Sequence, residues 1–74
     1  MRMTAAQILA LDGIIADNAA ITDVELQNTS AGVIVKTNRH KIVGNLMSRR
    51  YFLIAGNGRV MDGRDFQYHF DFRT

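Results

Sequence analysis

Around Ala20 the spacing of apolar residues switches from a helical repeat to strict alternation, which limits the chain to one early helix followed by strands. Before the switch, Ile8, Leu11 and Ile15 recur at three and four residues, Leu9 and Ile14 widen the stripe, and Gln7, Asp12, Asp17 and Asn18 fall mainly elsewhere. Thr4 followed by Gln7 has the spacing of a capping box, so a helix is predicted from residue 5 to about residue 19 with that stripe buried. Gly13 in its middle costs about 1 kcal/mol relative to alanine, and either admits a neighbouring backbone or is simply tolerated.

After the switch, Thr22, Val24 and Leu26 alternate with Asp23, Glu25 and Gln27, a half-buried strand with one wet face. Asn28, Thr29, Ser30, Ala31 and Gly32 have turn chemistry, and Val33, Ile34 and Val35 return as the second arm of a hairpin. Residues 41–48 are ambiguous: Ile42, Val43, Leu46 and Met47 suit one face of a short helix, but Gly44 and Asn45 are poor helix formers, so strand or irregular structure is expected. Tyr51, Phe52, Leu53 and Ile54 are apolar at every position, the mark of a strand covered on both sides or at a dimer seam. Gly56, Asn57 and Gly58 signal a tight turn into Val60 and Met61, and residues 62–65 read as another turn. Phe66, Tyr68, Phe70 and Phe72 alternate with Gln67, His69, Asp71 and Arg73, which reads as one strand with an aromatic face that the helix would cover. The expected architecture is α+β, one N-terminal helix packed on an antiparallel sheet of four to six strands, in a single small domain spanning residues 1–74.

A chain of 74 residues buries only about 60% of its unfolded surface, so either the packing is efficient or a second copy completes the core. A homodimer is the expectation. The absence of cysteine excludes a disulfide scaffold and a Cys-ligated zinc site, and a reducing cytoplasmic setting is the default. Residues 8–11 form the longest apolar run near the N-terminus, and Asp12 and Asp17 follow it. That is too short for a signal peptide or a membrane span, so a soluble protein is expected.

Formal net charge is only +2, but its distribution is uneven. Acids dominate the first 26 residues, whereas residues 27–61 carry Lys36, Arg39, Lys41, Arg49, Arg50 and Arg59 with no acid at all. Two knots stand out, residues 36–41 and 48–50, and at the ends of adjacent strands they would form one patch. Lys36, Asn38, Arg39, His40, Lys41, Arg49, Arg50, Tyr51 and Arg59 are therefore the candidate binding residues. Their cationic and amide groups suit phosphates, and Tyr51, Phe52 or His40 could stack on unpaired bases. The plain competing reading is solvated charge, or charge paired with acids within the fold or across a dimer.

Catalytic and cofactor chemistry finds no support. Residues 56–58 lack the rest of a phosphate-cradling glycine loop, and they read as a hairpin turn. His69 and Asp71 share a strand face with Asp65 and Gln67, but no third metal ligand is placed by spacing. No serine has the setting of an acyl-transfer nucleophile. The aromatic row could serve as a base-stacking platform, but core is the better reading because the helix has no equally large surface to cover. The expectation is a non-enzymatic binding protein, with no cofactor and no metal, that contacts nucleic acid through its basic surface. The alternative is an inhibitor or adaptor, of the kind viruses and mobile elements encode, docking on a larger protein such as a nucleic-acid-handling enzyme.

Overall fold

A computed structural model describes residues 2–66 and 69–73. It is α+β: one helix, α1 (Ala5–Asp17), packs on a five-stranded antiparallel sheet formed by β1 (Val24–Thr29), β2 (Gly32–Val43), β3 (Leu46–Ile54), β4 (Val60–Phe66) and β5 (His69–Arg73). The strands follow one another in chain order, β1-β2-β3-β4-β5, each antiparallel to the one before it. Among the described residues no helix is long and apolar enough to cross a membrane.

The predicted capping box is present. Thr4 Oγ1 accepts the Gln7 N–H at 3.1 Å, and Gln7 Oε1 accepts the Thr4 N–H at 2.9 Å. The same two residues tie the helix start to the sheet, because Thr4 Oγ1 donates to the Gly56 carbonyl at 2.7 Å and Gln7 Nε2 donates to the buried Ile54 carbonyl at 3.1 Å. This anchoring rotates the helix away from the predicted stripe. Gln7 and Ile14 are buried, with Ala10 and Leu11 packed beside them, whereas Ile8, Leu9 and Ile15 stay exposed. A buried glutamine amide with a carbonyl to bond outcompetes an isoleucine one position later. At Gly13 an added Cβ would meet nothing within 4 Å, so the glycine is tolerated and admits no neighbour.

Ile14 of the helix packs with Ile21, Val35, Phe52 and Ile54 beneath it. The other face of the sheet holds a second cluster, Ile34, Tyr51 and Leu53, with Met61 and Phe72 against it. The all-apolar stretch at Tyr51, Phe52, Leu53 and Ile54 is thus buried from both sides, as its composition implies. Ser30 and Ala31 turn the chain from β1 to β2, Gly44 and Asn45 turn it from β2 to β3, and the ambiguous residues 41–48 are strand on either side of that turn.

The end of the chain departs from expectation. Asp62, Gly63, Arg64 and Asp65 form strand, not turn, and the row beginning at Phe66 is divided between two strands, with Phe66 ending β4 opposite His69 of β5. Alternation alone cannot reveal a reversal inside an alternating stretch. Tyr68 and Gln67 of that row lie outside the described residues. The helix does not cover Phe72. That ring lies over Gly63, where a Cβ would fall 2.5 Å from Phe72 Cδ1, and it joins the cluster on the face away from α1.

Candidate nucleic-acid interface

The cationic segment is shaped by an irregularity in β2. Lys36 pairs with Tyr51 and His40 pairs with Arg49, so residues 37–39 stand against Arg50 alone. Such a bulge bends the strand and re-aims the side chains that follow it. Thr37, fully buried, fills it: its hydroxyl donates to the Arg50 carbonyl at 2.7 Å and accepts the Arg39 N–H at 3.2 Å, and its carbonyl accepts from Arg49 Nε. Asn38 closes the other side, taking the Thr22 and Asp23 N–H groups on Oδ1 at 3.1 and 3.4 Å and donating to Thr22 Oγ1 at 3.0 Å. Asn38 is therefore a clamp on the α1–β1 connection and offers little to a ligand.

Beyond the bulge the two predicted knots do meet, with His40 opposite Arg49 and Lys41 opposite Ser48. They divide, however, between the two faces of the sheet, because neighbouring residues of a strand point in opposite directions. Arg39, His40, Lys41, Arg50 and Arg64 line a concavity of about 170 Å³; Lys41, opposite Ser48, and Arg50, opposite Arg64, belong to the helix side, whereas His40 shares the face of Arg49 and reaches the concavity from its edge. Arg50 is fixed there by Asp62, at 3.0 and 3.3 Å, by Asn18 Oδ1 at 3.2 Å, and by its position 4.7 Å over the Phe52 ring. Arg39, Lys41 and Arg64 have no ion pair among the described residues. Arg64 escapes a reading of the linear sequence because Asp62 and Asp65 flank it, yet the register sets it directly opposite Arg50.

On the far side Arg49 stands 5.7 Å over the Tyr51 ring, next to half-buried Lys36. Arg59 joins neither group. It follows the Gly56 to Gly58 turn, whose geometry Gly58 sets with φ +90° against Ala6, at the opposite end of β3 from Arg49. Five residues of strand, about 17 Å, separate the two ends. Phe52 is buried beneath Arg50 and Tyr51 is 5% exposed, so neither ring is a free stacking platform.

Tyr51 donates its hydroxyl to Asp65 Oδ2 at 3.2 Å, while Asp65 Oδ1 is buried without a hydrogen-bond partner among the described residues. Burial above all, and then the Asp65 carboxylate, push the Tyr51 phenol above its ordinary 10.0, and Arg49 pulls the other way. The folded protein thus keeps this proton where the unfolded chain has lost it. The associated stabilisation is whole below about pH 10 and shrinks as pH rises through the folded value. Urea midpoints measured from pH 8 to 11 are expected to fall more steeply above pH 10 in the native protein than in Tyr51→Phe; parallel curves would contradict this.

No group of three or more His, Cys, Asp or Glu side chains is placed to hold a metal among the described residues. Compared with known protein families, curated proteins and solved structures, the chain matches none.

Proposed function

We propose that this chain is a small, non-catalytic, cytoplasmic nucleic-acid-binding protein that holds phosphates in the concavity at the root of the β2–β3 hairpin. A single observation carries the reading: Arg39, Lys41 and Arg64 converge on one hollow with no carboxylate paired to them among the described residues, beside an Arg50 already held in place. Arg50 has Asp62 and Arg64 stands opposite Asp71 of β5, so four cations meet two carboxylates there, and an anion relieves the repulsion of the surplus positive charge. Backbone phosphates, which occur in rows, match a hollow lined by several cations better than a lone carboxylate does.

Three or four such contacts give a log K against log salt slope of about −3 to −3.5 on duplex and somewhat less on a single strand. Fluorescence anisotropy with short DNA and RNA oligonucleotides at several salt concentrations measures it. The variant R39S/K41S/R64S is expected to flatten the slope by about three, since each lost phosphate contact removes about one. Failure of the native protein to bind, or equal binding by the variant, would overturn the reading.

One observation favours a second reading. Ile8, Leu9 and Ile15 leave an apolar stripe exposed on the outer side of α1, with Leu9 74% accessible. An adaptor or inhibitor would dock through this stripe on a larger protein, and a homodimer would bury it against a second copy. A protein partner that survives nuclease digestion separates this reading from the first.

A further inference from the structure

The β2–β3 hairpin outruns the sheet that carries it. Strand β1 accompanies β2 no further than Thr37, and β4 accompanies β3 no earlier than Arg49. From His40 to Val43 and from Leu46 to Ser48 the two strands pair only with each other among the described residues, closed by a two-residue turn in which Gly44 has φ +62°. The result is a free two-stranded arm.

Its tip is apolar. Ile42 and Met47 face each other across the strands, 70% and 64% exposed, and Leu46 is 40% exposed. A solvated hairpin tip is ordinarily polar, and nothing in the fold requires these side chains, since they touch neither core cluster. Behind them on the same face stand His40 and Arg49, and on the opposite face of the arm stand the cations of the hollow, Lys41 one residue and Arg39 three residues back from Ile42. An apolar point on a cationic root has the charge complementarity of a groove walled by phosphates and floored by bases.

We propose that the arm enters duplex DNA and that Ile42 and Met47 wedge between base steps while Arg39, Lys41 and Arg64 rest on the flanking phosphates. This inference rests on the nucleic-acid reading above. Strand geometry sets Ile42 about 3 Å ahead of Lys41 and about 10 Å ahead of Arg39, so the arm reaches to about the depth of a groove of B-form DNA while both side chains extend back toward its phosphates. Isoleucine and methionine have no groups with which to read base edges, but they are among the side chains that part stacked bases and kink the helix. An A-form duplex is a poorer substrate, because its major groove is too narrow for a ribbon and its minor groove too shallow to seat the tip.

The test uses a DNA duplex of about 25 base pairs with a central TA step, the easiest to unstack, labelled at both ends for energy transfer. Binding of the native protein is expected to raise the transfer efficiency as the ends approach. The double variant Ile42→Ser, Met47→Ser changes only exposed side chains, so it keeps the fold. It is expected to bind about tenfold more weakly, to leave the duplex straight, and to retain the native salt slope. Native binding without a change in transfer, or bending by the variant equal to native, would overturn the wedge and leave phosphate binding standing. Complete absence of native binding would overturn both. Sedimentation of the protein alone supplies the remaining outcome: a dimer that the double variant dissociates would assign the tip to a second copy and overturn the wedge.

Discussion

Gly32→Ala is expected to cost about 3 kcal/mol or more of folding stability, a large share of what a chain this short has. Gly32 opens β2 at φ +142°, a backbone region that side chains of L-residues essentially do not enter. Even if the backbone tolerated it, a Cβ there would run into the Ile54 carbonyl oxygen. That carbonyl cannot move aside, because it accepts Gln7 Nε2 from the helix and belongs to a residue paired with Val33 in the central ladder. Strain of about 1 to 3 kcal/mol for the dihedral therefore adds to a clash against backbone. A chain of this length has only about 4 to 11 kcal/mol in all. Gly44→Ala is the reference: at φ +62° with nothing within 4 Å, it meets only the left-handed penalty of about 1 to 2 kcal/mol. Urea unfolding followed by circular dichroism compares the two, and a Gly32→Ala protein no less stable than Gly44→Ala would refute the argument.

The fold was largely legible because its strongest signals are local. Thr4 and Gln7 mark the helix start through bonds made within one turn, and Tyr51, Phe52, Leu53 and Ile54 announce a central strand by having no polar member. The features that local signals do not carry depend on distant partners. Which face of α1 is buried was decided by Gln7 reaching Ile54, 47 residues away, and no period within the helix encodes that bond. The reversal between Phe66 and His69 was hidden because strands on either side of a hairpin can keep the same alternation of polar and apolar residues.

The candidate interface was legible in content and not in arrangement. Charge runs reported the cations of residues 39–50 correctly as neighbours, since a hairpin brings both arms together. They could not report that alternation sends Arg49 and Arg50 to opposite faces, that Asn38 is held by Thr22 and Asp23, or that Arg64 arrives from β4. Arg59 belongs to the same acid-free run of sequence, but the fold sets it at the opposite end of β3. The bulge at residues 37–39 is the pivot of the whole arrangement, and its only local sign is a threonine and an asparagine in an otherwise regular strand.

Phe52→Ala is expected to lose about 3 to 5 kcal/mol, comparable to the total stability of a chain this small. The ring is 5% exposed and packs with Ile14, Ile21, Val35 and Ile54, joining the helix, the α1–β1 connection and both central strands. Truncation leaves a cavity that no flexible neighbour can fill, because Val35 and Ile54 are fully buried in paired strands. The same ring lies under the Arg50 guanidinium, so packing and electrostatics meet at one side chain. Phe52→Leu separates them: it is expected to lower stability by about 1 kcal/mol, as a near volume-conserving change does, while removing the π face on which Arg50 rests. Denaturant midpoints of the two variants decide the matter. A Phe52→Ala protein within about 1 kcal/mol of native would mean the core beneath α1 is not where the stability lies. With Phe52→Leu folded, any change in oligonucleotide affinity reports on how Arg50 is held, since Asp62 and Asn18 are left in place to orient it.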